Sequence, residues 1–472
     1  MTDRSAPATL DQLRDHLRRQ VFRPGVDRRG RIAAEVELTP LRPLANPPGG
    51  CDYDSVQVGV DQFWDAMGGS ARRGRIDWRG GALTAEPGGQ IEYSGQPFET
   101  ACLAARDLED AVDLMIETAR GVDVSFDLIG VGLHPWGTPE EVGLHLSFPR
   151  YPAMQAYFDR IGAMGRRMMR LTGSVQVCID HAPAEELAAR WELAQRLAPV
   201  LTAAFANGSI QEGQPNGLAS ARADAWLTLD PARTGFPPAW LDNPQGDPVE
   251  QYWEFALNAP VMFRVDAQGV HHTLPPHFTF CDWIHQGLDP IEPDGSAYPS
   301  LADWDRHLST LFPEVRPRGY LELRSIDAPG LAWLSIPILV VGTVLSHADL
   351  SNALLADLRS LKQDWNNLRR RAAHQGLSDP ILGDLAEHLF DLTRSRLRGC
   401  DEAMVSAYSE RYIRPRRSPG QERLDRLVRP GSPPDPWSWI ALEGEQLNEV
   451  RALRVAEEAH VLAESCLPPV DG

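Results

Sequence analysis

Apolar and polar residues alternate along several short stretches of the chain, with the two-residue period of a β-strand that has one apolar and one polar face. In "AAEVELTP", Glu35 and Glu37 fall on one face, and the intervening apolar residues fall on the other. The stretches "GGQIEYSG", "GSVQVCID" and "GYLELRSIDA" alternate in the same way. "ADAWLTLD" and "VMFRVD" are further candidates. The pattern therefore predicts at least four strands with a polar face.

Longer segments between these stretches have helical character. They cover Ala153 to Leu171, Pro183 to Ala206, and much of Ala348 to Arg411. Strands separated by helices also occur in parallel βαβ units, but polar strand faces suit an antiparallel sheet with one open face. We therefore predict an α+β catalytic unit over residues 1–345. A helical C-terminal part over residues 346–472 is predicted to pack on the same unit.

The polar strand faces are rich in groups that bind cations or phosphate. Besides the two acids of the first strand, they carry Gln90, Glu92, Ser174, Gln176, Cys178, Glu322 and Arg324, and Glu86 precedes a nearby glycine pair. A solvated sheet face is the simpler explanation for any single strand. If several acidic faces converge, however, their repulsion calls for a cation, and Mg²⁺ prefers oxygen ligands of this kind. A metal–nucleotide site is the alternative interpretation.

Charge and composition narrow the class of protein. The formal net charge of −19 argues against a general surface for nucleic acid or anionic membranes. The longest apolar run, Leu331 to Leu345, is short for a membrane span and contains Pro337, and no secretory signal is recognisable. The six cysteines form no Cys-x-x-Cys pair. A cytoplasmic protein with reduced thiols is the expectation.

Lys362 is the only lysine of the chain. A P-loop requires a lysine directly after glycine, whereas Lys362 follows Leu361. A Schiff-base lysine would have to be Lys362 itself, on a predicted exposed helix. Phosphate binding is therefore left to arginine side chains, metal ions and backbone groups.

Two other segments are candidates for function. Between His271 and His285, four histidines and Cys281 make a zinc site conceivable, although the ligand spacing is not that of a common zinc motif. From Ala206 to Trp226 a polar loop leads into a predicted strand that carries Arg222, and loops of this length are commonly functional. Neither a G-x-S-x-G nor a G-x-G-x-x-G motif is present.

Five motifs, in order, resemble the plant-type glutamate–cysteine ligase family, which includes bacterial ergothioneine-pathway enzymes. They are "AAEVEL", "EPGGQIEYSGQPFET", "MMRLTGSVQVCID", "FANGSIQEGQPNGLASARADAW" and "DWDRHLSTLFPEVRPRGYLELRSIDA". The likeness extends from about Ile32 to Leu345. It implies a glutamine-synthetase-like fold, in which a curved antiparallel sheet flanked by helices holds ATP, Mg²⁺ and L-glutamate. The implied reaction phosphorylates the γ-carboxylate of glutamate and then couples it to the amine of L-cysteine, with release of ADP and phosphate.

The resemblance also implies roles for single residues. Glu35, Glu37, Glu92 and Glu322 would hold Mg²⁺, whereas Glu86, Gln90 and Arg324 would bind the nucleotide. Arg324 and Glu322 would take part in catalysis by stabilising the transferred phosphoryl group. The substrates would contact Arg222, Ser174, Gln176 and Cys178.

One position departs from the family, and it leaves the acceptor open. Cys178 stands where the family usually has asparagine. The change is either silent or alters the metal geometry or the acceptor pocket, so a different amine remains an alternative to cysteine. A binding protein without catalysis is a second alternative. The pathway served is open between glutathione, ergothioneine and a specialised product, and the protein is expected to be a monomer or homodimer.

Overall fold

An eight-stranded sheet forms the centre of the protein, as seen in a computed structural model that describes residues 7–44, 50–69, 75–288, 297–428 and 435–465. In chain order its strands are β1 (Ile32–Leu41), β2 (Arg75–Trp78), β3 (Gly81–Ala85), β4 (Ile91–Ser94), β5 (Asp127–Ile129), β6 (Ser174–Asp180), β7 (Val315–Pro317) and β8 (Tyr320–Asp327). Across the sheet the order is β7-β8-β6-β1-β4-β3-β2, and β5 also pairs with β1. Every pairing within this sheet is antiparallel.

Helices surround the sheet and make up most of the C-terminal part. They are α1 (Leu10–His16), α2 (Tyr53–Ala66), α3 (Ala101–Gly121), α4 (Pro139–Val142), α5 (Arg150–Phe158), α6 (Met164–Leu171), α7 (Leu187–Phe205), α8 (Ala221–Leu229), α9 (Pro238–Asp242), α10 (Pro248–Asn258), α11 (Phe280–Gln286), α12 (Leu301–Leu308), α13 (Ile336–Ser346), α14 (Ala348–Ser360), α15 (Trp365–Gln375), α16 (Pro380–Arg394), α17 (Gly399–Tyr408), α18 (Pro419–Leu427) and α19 (Pro436–Ser465).

Short elements complete the described chain. A π-helical turn, Leu17–Val21, continues α1, and another, Ser409–Ile413, continues α17. The 3₁₀ turns are Leu331–Trp333 and Gly376–Ser378. Three two-stranded pairs join Ile210–Gln211 to Gln214–Pro215, Thr234–Gly235 to Phe312–Pro313, and Phe263–Val265 to His271–Thr273.

The apolar face of the sheet packs against α3, α7 and α13. The strand residues that the alternation assigned to this face are fully buried: Val36, Leu38, Val175, Val177, Ile179, Leu321 and Leu323. Burying this face supplies most of the apolar driving force for folding and leaves the polar face free for chemistry. The α+β class, with an antiparallel sheet, flanking helices and a helical C-terminal part, is thereby confirmed.

The longest apolar run of the sequence forms a core helix. All residues of α13 from Ile336 to Leu345 are buried, which explains why the run has no amphipathic period. Within the described residues, no single helix is both long and apolar enough to cross a membrane. The 3₁₀ turn and α13 pass that test only when taken with α14, from which they bend by 94°.

The C-terminal helices pack on the same core rather than apart from it. Helices α14, α15 and α16 contact α7, and α16 and α17 contact α13. The boundary at residue 345 stays a prediction. Lys362 lies exposed in the four-residue connection between α14 and α15, so its predicted helical setting is wrong.

Two further sequence predictions of local structure are wrong. The segment "ADAWLTLD" belongs to α8 and is not a strand. Ser220 caps this helix by accepting a hydrogen bond from the backbone N–H of Ala223, and Ala221, Ala225 and Leu229 face the interior at the four-residue spacing of a helix. The helix predicted over Ala153 to Leu171 is two helices, α5 and α6.

Candidate active site

A cavity of about 1130 Å³ opens on the polar face of the sheet. Nine of the residues singled out from the sequence line it: Glu35, Glu37, Glu86, Gln90, Glu92, Ser174, Gln176, Arg222 and Arg324. The other two, Cys178 and Glu322, lie behind the lining and are 7% and 0% exposed. The fold therefore gathers all of the predicted site residues at one cavity.

Strand register explains how residues distant in sequence come together. Glu37 of β1 pairs with Glu92 of β4, and Glu35 pairs with Gln176 of β6. On the other edge of β6, Cys178 pairs with Glu322 of β8. Because paired residues in an antiparallel sheet point to the same side, the polar faces of four strands merge into one surface.

Two of the acids on this surface are held by hydroxyl groups. The Ser174 hydroxyl donates to Glu37 over 2.9 Å. The Thr84 hydroxyl donates to Glu92 over 2.6 Å, and Ser94 donates to the same oxygen over 3.1 Å. Burial nevertheless raises the pKa of both carboxyl groups, so hydroxyl donors alone do not compensate their charge.

The carboxylates of Glu35 and Glu86 have no hydrogen bond or ion pair to any residue that the structure describes. Burial, with the nearby charges of Glu92 and Glu322, raises the pKa of Glu35 to about 8. Burial, with the charge of Glu92, raises the pKa of Glu86 well above its ordinary value. We refer to Glu35, Glu37, Glu86 and Glu92 as the acidic side of the cavity. None of these four carboxylates forms an ion pair with a described residue, and the nearby arginine charges do not offset the effect of burial, so this side fits a bound cation.

The glycine pair before β4 shapes a tight turn that presents Glu86. The backbone N–H of Glu86 donates to the Gln90 carbonyl, and the N–H of Gly89 donates back to the Glu86 carbonyl. Gly89 has φ +83°, and a side chain at Gly88 would collide with the backbone of Arg170. Gln90 accepts from the Gly88 N–H over 3.0 Å and donates to the Thr172 carbonyl over 2.9 Å. Its amide thus holds the turn in place, and a nucleotide contact from it stays a prediction.

Glu322 is surrounded by guanidinium groups. Arg316 donates to both of its carboxylate oxygens, over 2.6 and 3.0 Å, and Arg324 donates over 3.0 Å. Arg318 approaches to 3.4 Å. Burial alone would raise the pKa of Glu322, but Arg316 and Arg324 outweigh it and hold the pKa well below its usual range. We refer to Arg316, Arg318, Glu322 and Arg324 as the arginine side of the cavity.

Arg316 and Arg318 were missed in the sequence. Their signal is the alternation in "VRPRG", which places both arginines on one strand face. Register pairs Arg316 of β7 directly with Glu322 of β8. The short hairpin between the two strands therefore delivers two further cations beside Arg324.

Arg324 lies where β8 departs from regular pairing. The register against β6 shifts between Leu323 and Ile326, as at a β-bulge. Arg324 donates to the Gln176 side chain over 2.6 Å, which aims its guanidinium along the cavity wall. After the shift, Asp327 pairs with Ser174 and so falls on the polar face, a position that strict alternation does not give it.

Arg222 reaches the cavity from the first turn of α8, and not from a strand as predicted. It is 3% exposed and donates to the backbone carbonyl of Arg324 over 2.6 Å. Its second nitrogen lies 3.7 Å from Asp327. Asp327 in turn accepts from the Ser220 hydroxyl and from the Asn207 backbone N–H, each over 2.9 Å. This network fixes Arg222 at the cavity and was not visible in the sequence.

One group of three ligand-type side chains stands out among the described residues. A carboxylate oxygen of Glu35, the Sγ of Cys178 and a carboxylate oxygen of Glu322 lie within 4.8 Å of one another. The histidine segment forms no such group in the part of the chain described. Its Cys281 and His285 contact each other over 3.5 Å on α11. The predicted zinc site is therefore not supported.

Comparison with known proteins places the chain in a family. The family described as Glutamate-cysteine ligase family 2 (GCS2) matches residues 53–419. The chain belongs to this family. A chloroplastic glutamate–cysteine ligase A from Oryza sativa subsp. japonica is 30% identical over 379 residues, which cover 74% of this chain and 72% of the relative. The glutamate–cysteine ligase EgtA from Mycolicibacterium smegmatis is 32% identical over 409 residues, covering 85% and 88%.

The family assignment confirms the resemblance drawn from the five motifs. As a member of GCS2, the protein is an enzyme of the ligase class. Among solved structures, a glutamate–cysteine ligase from Francisella tularensis in complex with AMP aligns with a TM-score of 0.49 at 12% identity, over 94% of this chain and 95% of that one.

Proposed function

We propose that this GCS2 member is an ATP-dependent, ADP-forming ligase that joins the γ-carboxylate of L-glutamate to the amine of L-cysteine. One observation carries the proposal: a single cavity has an acidic side, whose carboxylates form no ion pair with a described residue, next to an arginine side with surplus positive charge. A nucleoside triphosphate with its bound cation complements both sides, because the cation fits the acidic side and the phosphates fit the arginine side. The names of the chloroplastic relatives and of EgtA support glutamate and cysteine as substrates.

The acidic side fits Mg²⁺. Its carboxylate oxygens are the ligands this ion prefers, and the unpaired Glu35 and Glu86 have no other partner among the described residues. Glu35, Glu37, Glu86 and Glu92 would hold the ion, which when bound neutralises charge on the phosphate oxygens. Glu322 is predicted to contribute as well, but in this structure it is engaged by arginines.

The arginine side would stabilise the transferred phosphoryl group. The guanidinium groups of Arg324 and Arg316 are held in place by Glu322, so little reorganisation is needed as charge develops on the phosphate. Arg318, whose side chain is half exposed, is free to turn toward a bound anion. Phosphoryl transfer depends mainly on such positioning and charge stabilisation.

Arg222 would bind a carboxylate of glutamate near Ser174 and Gln176. Its fork geometry suits bidentate recognition, and Asp327 and the Arg324 carbonyl set its orientation. The γ-carboxylate then attacks the γ-phosphorus of ATP and ADP leaves. The amine of cysteine next attacks the acyl carbon, and phosphate departs with the γ-carboxylate oxygen that bridged carbon and phosphorus. The amine proton passes to solvent or phosphate.

The test is ADP release by the purified protein with ATP, Mg²⁺ and L-glutamate, with and without L-cysteine, followed by mass analysis of the product. We expect cysteine-dependent release and γ-glutamylcysteine. Release that depends on another amine would preserve the mechanism and replace the acceptor. No release with any amine would contradict the proposal. The cytoplasmic location, the pathway and the monomer or homodimer state stay predictions.

A further inference from the structure

The thiol of Cys178 differs from those of Cys51, Cys102 and Cys281, each of which has an identified partner. Cys51 contacts Tyr53, Cys102 contacts Asp401, and Cys281 contacts His285. The Cys178 thiol is 7% exposed and makes no hydrogen bond to a described residue. Cys466 lies outside the described residues.

The nearest ligand-type neighbours of this thiol are carboxylates. Cys178 pairs with Glu322 across β6 and β8, and its sulfur lies within 4.8 Å of oxygens from Glu322 and Glu35. Glu35 also lacks a hydrogen bond or ion pair among the described residues, and its carboxylate lines the cavity. A buried thiol and a partly exposed carboxylate, neither of which has a side-chain partner among the described residues, thus meet at one point, and together they fit a ligand that accepts both oxygen and sulfur.

The ligands outside the arginine side match the charge of a divalent cation. Glu322 is held by Arg316, Arg318 and Arg324, whose surplus positive charge is left to the phosphates of a bound nucleotide. This leaves one carboxylate, Glu35, and one thiol that ionises when it binds a metal. Together they supply two negative charges against a charge of +2, and the thiol proton passes to solvent on binding.

Sulfur changes which cation the position prefers. Mg²⁺ is a hard ion that demands oxygen ligands, whereas Co²⁺ and Zn²⁺ accept a thiolate beside a carboxylate, with affinity rising from Co²⁺ to Zn²⁺. A carboxylate has two oxygens, so Glu35 also serves the position of Glu37, Glu86 and Glu92, whose ligands are oxygen alone. The cavity therefore contains one oxygen–sulfur position next to an all-oxygen position.

We propose that Cys178 is a metal ligand that, with Glu35, gives the active site of this enzyme a position selective for thiophilic divalent cations over Mg²⁺. The proposal rests on the proposed function, since that function makes the cavity an active site, but its test measures metal binding and not turnover. Substitution of Cys178 is expected to remove the sulfur ligand and leave the all-oxygen position unchanged.

Co²⁺ is the probe, because a cobalt–thiolate bond gives a charge-transfer absorption band in the near ultraviolet. Titration of the nucleotide-free, full-length protein with Co²⁺ is expected to produce this band. The band should be lost in Cys178→Ser and should survive excess Mg²⁺ in the wild type. Cys281→Ser is the matched control, since Cys281 is the other thiol beside a metal-ligating side chain, and it should keep the band.

Each outcome bears on one proposal only. A band that persists in Cys178→Ser, or its absence from the wild type, overturns the sulfur ligand. If Cys178→Ser fails to fold by circular dichroism, Cys178→Asn replaces it, and the band must again be lost. An absent band together with normal Mg²⁺-dependent ADP release overturns the cysteine proposal and leaves the ligase function standing. A band without ADP release under any cation does the reverse.

Discussion

The two sides of the cavity lie next to each other on the polar face of one sheet, yet their carboxylates differ in how their charge is balanced. On the acidic side, burial raises the pKa of four carboxyl groups, and two of them have no partner among the described residues. On the arginine side, one carboxylate is surrounded by three guanidinium groups. The difference shows that an acid's neighbours decide its role: the acids without partners require a cation from outside, whereas Glu322 serves to hold cations that the chain already provides.

We expect the largest effect from removing the carboxylate of the arginine side. In Glu322→Gln, Arg316 and Arg324 lose their counter-charge, so we expect ADP formation to fall by at least about 1000-fold. The free energy of unfolding should fall by about 3–5 kcal/mol. Rates at saturating substrate and urea unfolding curves measure the two effects, and excess Mg²⁺ should rescue neither.

Glu192→Gln is the matched control for this change. Glu192 is also fully buried between arginines, Arg196 and Arg359, but neither of these arginines lines the cavity. It should reproduce the loss of stability with near-normal turnover in the folded fraction. Equal turnover of the two variants would contradict a special role for Glu322.

A second change separates substrate binding from phosphoryl transfer. Arg222→Ala removes the carboxylate-binding fork, and we expect kcat/KM for glutamate to fall by about 100-fold, as for a lost charged hydrogen-bond pair. The KM for ATP should change little. Steady-state kinetics with each substrate varied in turn measure this. An equal loss for both substrates would place Arg222 on the phosphate path.

The acidic side can be examined through pH without turnover. Since burial raises the pKa of Glu35 to about 8 from an ordinary 4.5, the folded protein holds a proton that the unfolded chain has released. The stability of the metal-free protein should therefore decline as pH rises from about 5 to 8. Mg²⁺ replaces the proton, so the rise in Tm caused by Mg²⁺ should grow over the same range and flatten in Glu35→Gln. A Tm shift that is independent of pH would contradict the assignment.

The smallest effect is expected at the exposed end of the arginine side. The Arg318 side chain is half exposed and its contact with Glu322 is long, at 3.4 Å. Arg318→Ala should raise the KM for ATP by no more than about fivefold, and less at high salt. Kinetics at two ionic strengths measure this, with the KM for glutamate as the internal control. A loss as large as that of Glu322→Gln would mean that the three arginines do not differ in role.

The alternation of apolar and polar residues was enough to predict the polar faces, because successive side chains of a strand point alternately to the buried and to the open face of the sheet. Glu35, Glu37 and Glu92 fall where the pattern places them. The same alternation misled at "ADAWLTLD", where the Ser220 cap and packing at four-residue spacing favour a helix.

What the sequence did not contain is the geometry that joins distant segments. The register shift in β8 brings Asp327 to the polar face, and the residues of the strand itself do not indicate a bulge. The ion pair of Arg316 with Glu322 depends on the pairing of two strands, which follows from the fold and not from either strand alone. The pairing of Cys178 with Glu322 has the same origin.

The exposed connection between α14 and α15 has a practical consequence. Because it carries the only lysine side chain of the protein, an amine-reactive dye or surface linker attaches to one defined side chain, Lys362. Lys362 is not among the residues that line the cavity, so a fluorophore or a chip placed there leaves the cavity open. Besides the terminal α-amino group, the native sequence thus offers a single amine for attaching a probe that reports ligand binding, with no cysteine engineered and Cys178 left unmodified.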